Sequence, residues 1–312
     1  IGLDDFWADS RFTSVSGGGY AVVVIDTGID VNHTFFGPDV DGNGVADRIV
    51  YQYDFADNDA DASDFSGHGS HVTSVIASED ANYPGIAPDA NIIHLKVFSD
   101  SGVGYFSYVE QALAWVIEHV DQYNIAAVNM SIGDGLNWDQ ARGLHGIGDE
   151  LAALSELNVI TVAAAGNAYG YFDAPGVAYP AADPNTIAVG AVWDSNRGGP
   201  WSFGANGVDY TTGADHISSF SQRDKGLLDI FAPGALITAA NAFGGVTTMR
   251  GTSMATPFVT GAAVLAQQLA ISHLGRQLSS FEFRHLLDIS GALIFDGDDE
   301  QDNVANTHSS YH

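Results

Sequence analysis

The sequence predicts an α/β fold in which a doubly wound, mostly parallel sheet carries helices on both faces. Short apolar runs alternate along the chain with segments whose apolar residues recur at helical spacing. The 312 residues include 46% hydrophobic side chains, enough for one large core. Because no internal repeat or flexible linker divides the chain, we predict a single domain over residues 1–312. Its core would span about 1–291, followed by an acidic tail over 292–312.

Five apolar runs are predicted as buried parallel strands: residues 20–25, 91–98, 125–130, 159–164 and 187–192. Four segments with helical spacing are predicted as helices: residues 108–119, 147–157, 258–271 and 281–289. In sheets of this kind, ligands bind beyond the carboxyl ends of the strands. Polar and glycine-rich segments that follow these strands are therefore the candidate site.

The charge balance excludes two classes of partner. Ten basic residues face 39 acidic ones, giving a formal net charge of −29, and aspartates outnumber glutamates 32 to 7. Aspartate favours turns and caps, so most of this charge belongs to loops. Such a field repels nucleic acid and anionic membranes. It suits either a calcium-loaded surface or a saline medium, and both interpretations stay open.

Other features of composition set fewer limits. The chain has no cysteine, so it has no disulfide and its redox compartment stays open. The sequence contains no apolar run of about 18 residues, so it predicts no membrane span. Nothing at Ile1 resembles a signal peptide.

The heptapeptide GTSMATP, residues 251–257, places Ser253 among small residues ahead of an apolar segment. Gly251 permits close backbone approach, and Pro257 fits a helix within its first turn. A helix beginning here would direct free N–H groups and a positive dipole end at Ser253. That environment suits a nucleophile whose transition state carries an oxyanion. The simpler interpretation is a helix cap.

Two further segments supply an acid and a base. The first strand runs into DTGID, which places Asp26 at its carboxyl end, and GHGSHV places His68 at the start of a helix. Asp, His and Ser in this order match one known order of the catalytic triad. Asp26 could instead cap a turn, with Asp30 as an alternative acid. His71 lacks a recognised zinc pattern around it and is interpreted as a packed structural histidine.

Four segments in order (DTGID, HGSHV, AAAGN at 163–167 and GTSMATP) resemble the subtilases, the subtilisin-like serine peptidases. The likeness runs from about residue 1 to 291 and implies the subtilisin-like fold. The family usually has HGTH, and Ser70 keeps the hydroxyl of that threonine. The resemblance, with triad chemistry, makes Ser253 the nucleophile, His68 the base and Asp26 its orienting acid. It assigns Asn167 to the oxyanion hole, although Asn167 could simply occupy a turn after Gly166.

The resemblance also implies a substrate cleft. One wall of the pocket for the P1 side chain would be Ser131, Ile132 and Gly133, with Gly166 beside it and Ala178 at its floor. The opposite substrate-pairing strand would be Gly102, Val103 and Gly104. A small floor with few nearby charges predicts broad specificity with a preference for large apolar P1 residues. Ordinary strand-end turns are the alternative interpretation, and the many loop carboxylates leave a basic preference open.

Two acidic loops predict structural calcium. The first loop matches an EF-hand loop except at its last position, where Val50 replaces the bidentate acid. Its ligands would be side chains or carbonyls of Asp39, Asp41, Asn43, Val45 and Asp47. The second resembles DFxDND segments that bind calcium in thermitase-like subtilases: Asp54, Asp57, Asp59, Asp61 and Ser63. These oxygens would repel one another without a cation. The alternative is a plain acidic turn.

Together these features predict a secreted, extracellular serine endopeptidase, stabilised by calcium, that acts as a monomer on peptide or protein substrates. A propeptide inhibitor upstream of Ile1 is expected from the resemblance. The alternatives are a dedicated processing protease with one partner substrate and a non-catalytic calcium-dependent surface module. Residues 197–215 look like an insertion that forms a surface loop, with a substrate-shaping role left open. The acidic run 296–302 is expected to be solvated, and further domains beyond His312 are a hypothesis.

Overall fold

The computed structural model describes residues 2–297 and 301–312. The helices and strands follow in chain order, with two short 3-10 helices at Thr34–Phe36 and Gly204–Asn206: α1 (Leu3–Ala8), β1 (Ala21–Asp26), β2 (Ile49–Asp54), α2 (His68–Ala77), β3 (Asn91–Lys96), α3 (Phe106–Tyr123), β4 (Ile125–Met130), α4 (Gly148–Glu156), β5 (Ile160–Ala164), α5 (Tyr169–Phe172), β6 (Thr186–Val192), β7 (Trp201–Ser202), β8 (Val208–Asp209), β9 (Ile230–Pro233), β10 (Ile237–Ala240), β11 (Val246–Met249), α6 (Thr252–Leu274), α7 (Ser280–Ser290), β12 (Ile294–Phe295) and β13 (Ser310–Tyr311).

The central sheet confirms the predicted fold class. Its seven strands lie in the order β2-β3-β1-β4-β5-β6-β9, and every neighbouring pair is parallel. The five predicted strands are β1, β3, β4, β5 and β6. The short strands β2 and β9 were not predicted, because polar residues interrupt the apolar run of the first and the second is only four residues long.

Strand β1 shows why helices cover both faces of the sheet. All six of its residues are buried, and its side chains alternate between two cores. Val22 and Val24 pack in the core that contains residues of α2 and α6. Val23 and Ile25 pack in the other core, which contains residues of α3 and α4.

Helix α6 extends the predicted apolar segment 258–271 toward the N-terminus. It starts at Thr252, beside Ser253 as the GTSMATP motif predicted, but Pro257 lies inside the helix and not within its first turn. This helix is also long and apolar enough to cross a membrane by length and composition, which the sequence analysis did not expect. However, 67% of its most apolar 18-residue stretch is buried, and it packs against five strands of the sheet, β1, β4, β5, β6 and β9. It is therefore the core helix of the domain.

The end of the chain differs from the expected solvated tail. Strands β12 and β13 pair antiparallel, and Asp296 is fully buried against Arg223, with Nε–Oδ2 and Nη2–Oδ1 distances of 2.8 and 3.0 Å. Of the predicted acidic run 296–302, residues 298–300 lie outside the described residues. The remaining acids of that run belong to a segment that is folded onto the domain.

Candidate active site

Asp26 and His68 meet at the carboxyl edge of the sheet. Asp26 ends β1, where its Oδ1 accepts a hydrogen bond from His68 Nδ1 at 2.7 Å and another from the backbone N–H of Thr27 at 2.7 Å. Asp26 is fully buried, whereas the His68 side chain keeps 27% of its surface exposed. The imidazole is therefore held from one side and open to solvent on the other. Its Nδ1 proton lies toward Asp26, which leaves Nε2 free to accept a proton.

The charge on Asp26 favours the protonated imidazole. Burial opposes a positive charge on His68, but the attraction and hydrogen bond of Asp26, helped by the charge of Asp64, raise the pKa of His68 above its ordinary 6.5. A base with a raised pKa holds a proton more strongly. His68 thus combines an open nitrogen with increased basicity.

Asp64 fixes the start of helix α2, which carries His68. Its Oδ1 accepts from Gly67 N–H at 2.8 Å, and its Oδ2 accepts from both the backbone and the hydroxyl of Ser70 at 2.8 and 2.7 Å. The Ser70 hydroxyl in turn accepts from Asp30 N–H at 2.9 Å. The Ser70 hydroxyl therefore makes two hydrogen bonds that hold the start of α2, one as donor to Asp64 and one as acceptor from Asp30 N–H. The Asp30 carboxylate bonds within its own turn, so Asp26 is the acid that meets His68.

Ser253 lies in the first turn of α6, beside the end of β4. Its hydroxyl donates to the carbonyl of Ser131 at 3.2 Å, and the Ser131 hydroxyl donates to the carbonyl of Ser253 at 2.8 Å. Pro257 has no N–H, so it cannot donate the usual helical hydrogen bond to the carbonyl of Ser253, four residues earlier. The Ser131 hydroxyl supplies the missing bond. Among the described residues Ser253 makes no hydrogen bond to His68. Helices α2 and α6 nevertheless pack together, and β1 pairs with β4, so both groups lie at one edge of the sheet.

Asn167 is oriented by Thr252, which the sequence analysis did not identify. Its Oδ1 accepts from the backbone N–H of Thr252 at 2.8 Å and from the Thr252 hydroxyl at 3.0 Å. The hydroxyl also accepts from Gly166 N–H at 3.1 Å. Because Oδ1 faces Thr252, the amide Nδ2 remains available as a donor near Ser253. A threonine next to the predicted nucleophile was the only sequence signal for this role.

A second missed residue is His94, which is fully buried on β3. Its Nε2 accepts from Gly28 N–H at 3.1 Å, so the ring proton lies on Nδ1 and is donated to Thr73 Oγ1 at 3.2 Å. The Thr73 hydroxyl donates to the carbonyl of Gly69 at 2.8 Å. Burial lowers the pKa of His94 to about 4, which keeps the ring neutral. His94 thereby connects the turn after Asp26 with the helix that begins at His68.

The predicted P1 wall surrounds one cavity. It has a volume of about 280 Å³ and is lined by predicted site residues together with others not predicted: Ser131, Ile132, Gly133, Gly166, Asn167, Ala178 and Ser253, and also Gly135, Ala164, Ala168, Asn206, Gln222 and Thr252. A side chain on Gly133 or Gly166 would meet the Cβ of Ala178 at 3.3 or 3.1 Å, respectively. Ala178 thus lies between the two glycines, as expected of a floor. None of the lining residues is charged.

The predicted opposite segment, Gly102 to Gly104, is not a strand within the fold: it follows a turn in which Gly102 N–H donates to the Ser99 carbonyl at 2.8 Å, and only Gly104 bridges to Phe98. Gly104 lines a small cavity with Ile132 and Gly133, and Gly102 lines a second one with Thr27. Val103, between them, is 47% exposed. Of the predicted opposite segment, Gly104 is thus the residue that shares a cavity with the predicted P1 wall.

His71 is fully buried, and its Nε2 lies 3.0 Å from the carbonyl oxygen of Ile237. Burial lowers its pKa to about 4. The ring is thus neutral and packed in the fold, in agreement with a structural role.

The first acidic loop brings three carboxylates together, and no lysine or arginine of the described residues forms an ion pair with them. Oxygens of Asp39, Asp41 and Asp47 lie within 4.8 Å of one another, and all three residues are exposed. Asn43 lies in the same turn, where its Oδ1 accepts from Val45 N–H at 2.8 Å. Three hard oxygens so close repel one another unless a cation neutralises them, so this donor set fits calcium.

The second acidic loop is arranged differently from the prediction. Oxygens of Asp54, Asp57 and Asp100 lie within 4.8 Å of one another, and Lys96 Nζ contacts both Asp54, at 2.8 Å, and Asp100. The ammonium already neutralises part of this group, so the set fits a further divalent cation poorly. The other predicted ligands are not in this group and bond along their own loop: Asp59, Asp61 and Ser63.

Comparison with known proteins agrees with this geometry. The chain matches the subtilase family over residues 17–300. Alkaline serine exoprotease A of Vibrio alginolyticus is 35% identical over 252 residues, which are 81% of this chain and 39% of that protein. Subtilisin E of Bacillus subtilis (strain 168) is 32% identical over 252 residues, or 80% of this chain and 56% of that protein. The chain thus spans only about two fifths to just over half of these relatives.

Solved structures share the fold. A cold-adapted subtilisin-like serine proteinase aligns with a TM-score of 0.67 and 32% identity, covering 88% of this chain and 82% of that one. The prenylagaramide maturation protease PagA aligns with the same TM-score and 26% identity, covering 93% and 88%. From the sheet topology, the paired Asp26 and His68 and these matches, we conclude that the chain belongs to the subtilase family of subtilisin-like serine peptidases.

Proposed function

We propose that this chain is the catalytic domain of a serine endopeptidase that hydrolyses peptide bonds through an acyl-enzyme on Ser253. The observation that carries the proposal is the 2.7 Å hydrogen bond between Asp26 and His68, at the sheet edge where α6 presents Ser253. An extracellular location, a monomeric state and an inhibitory propeptide are proposed on the family resemblance alone.

In the first step Ser253 Oγ attacks the carbonyl carbon of the scissile bond, and His68 Nε2 takes the hydroxyl proton. Ser253 must leave its bond to the Ser131 carbonyl for this step, a change that binding of a substrate can drive. His68 then gives the proton to the leaving amine as the C–N bond breaks. Asp26 stays ionised, fixes the imidazole tautomer and stabilises the imidazolium.

The negative charge that forms on the carbonyl oxygen is bound by Asn167 Nδ2 and the Ser253 backbone N–H. The start of helix α6 adds a positive dipole end at the same place. A water molecule then attacks the ester carbonyl while His68 Nε2 takes its proton. His68 returns that proton to Ser253 Oγ as the C–O bond to the serine breaks and the acid product leaves.

The cleft supports broad specificity with a preference for large apolar P1 residues. Extended substrates would pair with the segments 131–133 and 102–104 through backbone groups, which tolerates many sequences. The small floor at Ala178 leaves room for a large side chain, and the lining of the cavity carries no charge.

Calcium would be held by Asp39, Asp41 and Asp47, with Asn43 and the Val45 carbonyl in the same loop. Bound there, it would neutralise the three carboxylates and stabilise the loop. This role is structural, since none of the catalytic steps involves the ion.

The direct test replaces Ser253 with alanine. Hydrolysis of a denatured protein substrate should be abolished in Ser253→Ala, while its circular dichroism and Tm stay those of the unaltered protein. Retained hydrolysis in the purified variant would contradict the proposal.

A dedicated processing protease is the second candidate, because PagA, described as a maturation protease, shares the fold at 26% identity. A peptide-library cleavage profile separates the two. A general degrader cleaves after many residues, whereas a processing enzyme cleaves few sequences.

A further inference from the structure

The turn at residues 203–207 reaches the P1 cavity from the segment that the sequence analysis interpreted as an insertion. It lies between β7 and β8 and contains the 3-10 helix Gly204–Asn206. Asn206 lines the same 280 Å³ cavity as Ser253, Ala178 and Gln222. The insertion is therefore part of the pocket wall, and we call residues 203–207 the wall turn.

Helix α5 holds one side of the wall turn. A Cβ on Gly170 would lie 2.6 Å from the carbonyl carbon of Asn206 and 2.9 Å from the nitrogen of Gly207. The two backbones thus touch so closely that only glycine fits at position 170. Helix α5 follows Asn167 by one residue, so the wall turn is anchored next to the oxyanion site.

The other side of the wall turn packs on the turn that leads to Gln222. Phe203 meets Phe220 edge to face, with ring centroids 4.8 Å apart. A Cβ on Gly207 would lie 2.6 Å from the side chain of Ser219. Gln222, two residues after Phe220, lines the cavity itself.

The C-terminal segment supports the wall turn from behind. Val208 N–H donates to Asn303 Oδ1 at 2.6 Å, and Tyr210 N–H donates to the carbonyl of Gln301 at 2.7 Å. The wall turn is therefore fixed on three sides, and the position of Asn206 is determined before a substrate arrives.

The chemistry of Asn206 differs from the rest of the lining. The cavity is lined mainly by glycine, alanine and small hydroxyl residues without charge. The Gln222 amide is already used, since its Nε2 donates to Leu136 O at 2.9 Å and to Asn137 Oδ1 at 2.7 Å. Asn206 is half-buried, and among the described residues its carboxamide makes no hydrogen bond. It is a fixed polar group in the pocket with its bonding capacity unused.

We propose that Asn206 determines specificity by forming a hydrogen bond with an uncharged polar tip of the P1 side chain. Among large P1 residues the pocket therefore selects tyrosine over phenylalanine. A side-chain amide can donate to or accept from a phenol, and it gains nothing from a bare ring. This inference rests on the proposed peptidase function and deepens it by naming the P1 class.

The test compares two peptide substrates that are identical except for tyrosine or phenylalanine at P1. In the unaltered protein kcat/KM should be about fivefold higher for tyrosine, the value of one ordinary hydrogen bond. Asn206→Leu, which keeps the side-chain size, should bring that ratio to about one by lowering the tyrosine value alone. Gly170→Ala, which forces the wall turn away from α5, should lower the ratio without changing Asn206.

The controls separate this inference from the proposed function. Asn82→Leu makes the same change at an exposed asparagine outside the cleft and should keep the ratio. Titration with a fluorophosphonate counts active sites, so misfolded fractions of any variant are corrected for. A ratio that Asn206→Leu leaves unchanged, with both substrates still cleaved, overturns the role of Asn206 only. Failure of the unaltered protein to cleave either substrate overturns the peptidase function itself.

Discussion

At the scale of single residues, the bond between Asp26 and His68 should set the pH range of the proposed peptidase activity. His68 must be neutral to accept the Ser253 proton, and the neighbouring carboxylate raises its pKa. A raised pKa keeps the imidazole protonated over more of the acidic range. The site is therefore tuned for neutral or alkaline conditions.

We expect kcat/KM to fall as the pH drops through an apparent pKa above 6.5, the ordinary value for histidine. Asp26→Asn removes the charge that raises the pKa of His68, and it should also cause a large loss of rate. The activity that remains should therefore fall off at a lower pH than in the unaltered protein. The measurement is a pH profile of kcat/KM on an uncharged substrate. An acid limb at or below 6.5 in the unaltered protein would contradict the assigned environment of His68.

On the proposed function Asn167 is the oxyanion donor, and because Thr252 orients its side chain, replacement of either residue should act on the rate. Asn167→Leu should lower kcat by about 10²–10³-fold, the loss found when one such donor is removed from a subtilisin. Thr252→Val removes one of the two bonds to Asn167 Oδ1 and should cost about fivefold in kcat with little change in KM. Steady-state kinetics of both variants check this. An equal change in kcat and KM for Thr252→Val would indicate a role in binding instead.

At the scale of helices and strands, the sequence predicts the buried elements and misses features that depend on tertiary contact. Strands such as β1 and β4 are continuous apolar runs, so their type and approximate bounds follow from composition alone. Pro257 was expected within the first turn of α6 but lies inside the helix, because the bond lost there is compensated by Ser131, which is distant in sequence. The motifs identified Asp26 and His68, which the structure brings together, whereas the contacts of Thr252, His94 and Asn206 arise from the fold and no local pattern encodes them.

The ion pair of Arg223 and Asp296 determines whether the C-terminal segment stays in place. Both side chains are fully buried, and the Arg223 guanidinium also lies 3.8 Å from the centre of the Tyr169 ring. Arg223→Met leaves the Asp296 charge buried without its partner, so it should destabilise the fold by about 3–5 kcal/mol. Urea denaturation measures this loss.

The double variant Arg223→Met with Asp296→Leu removes both charges and should recover a large part of that stability. The exposed pair Arg276 and Glu282 provides the control, because solvent screens its charges and Arg276→Met should cost far less stability than Arg223→Met. If Arg223→Met costs no more than Arg276→Met, the segment does not depend on the buried pair.

At the scale of the whole molecule, the net charge of −29 opposes the compact state. Part of this repulsion is concentrated in the loop that contains Asp39, Asp41 and Asp47. Among the ion pairs of the described residues, none joins these three aspartates to a lysine or an arginine. Cations bound only by the folded chain should therefore contribute to its stability.

We expect excess chelator to lower the Tm of the unaltered protein by several degrees. A site filled at about 100 times its Kd contributes about 2.7 kcal/mol, and chelation removes that contribution. The variant Asp39→Asn with Asp41→Asn should no longer respond, whereas Asp121→Asn, on the surface of α3, should respond fully. A melting curve that chelator leaves unchanged in the unaltered protein would count against calcium at this loop.

Covalent labelling by a fluorophosphonate, followed by mass mapping of the labelled peptide, tests most directly whether Asp26, His68 and Ser253 form one nucleophilic unit. The account predicts a single adduct on the peptide that contains Ser253, formed quickly at pH 8, much more slowly in His68→Ala, and absent in Ser253→Ala. An unlabelled protein, or an adduct on another residue, would contradict it.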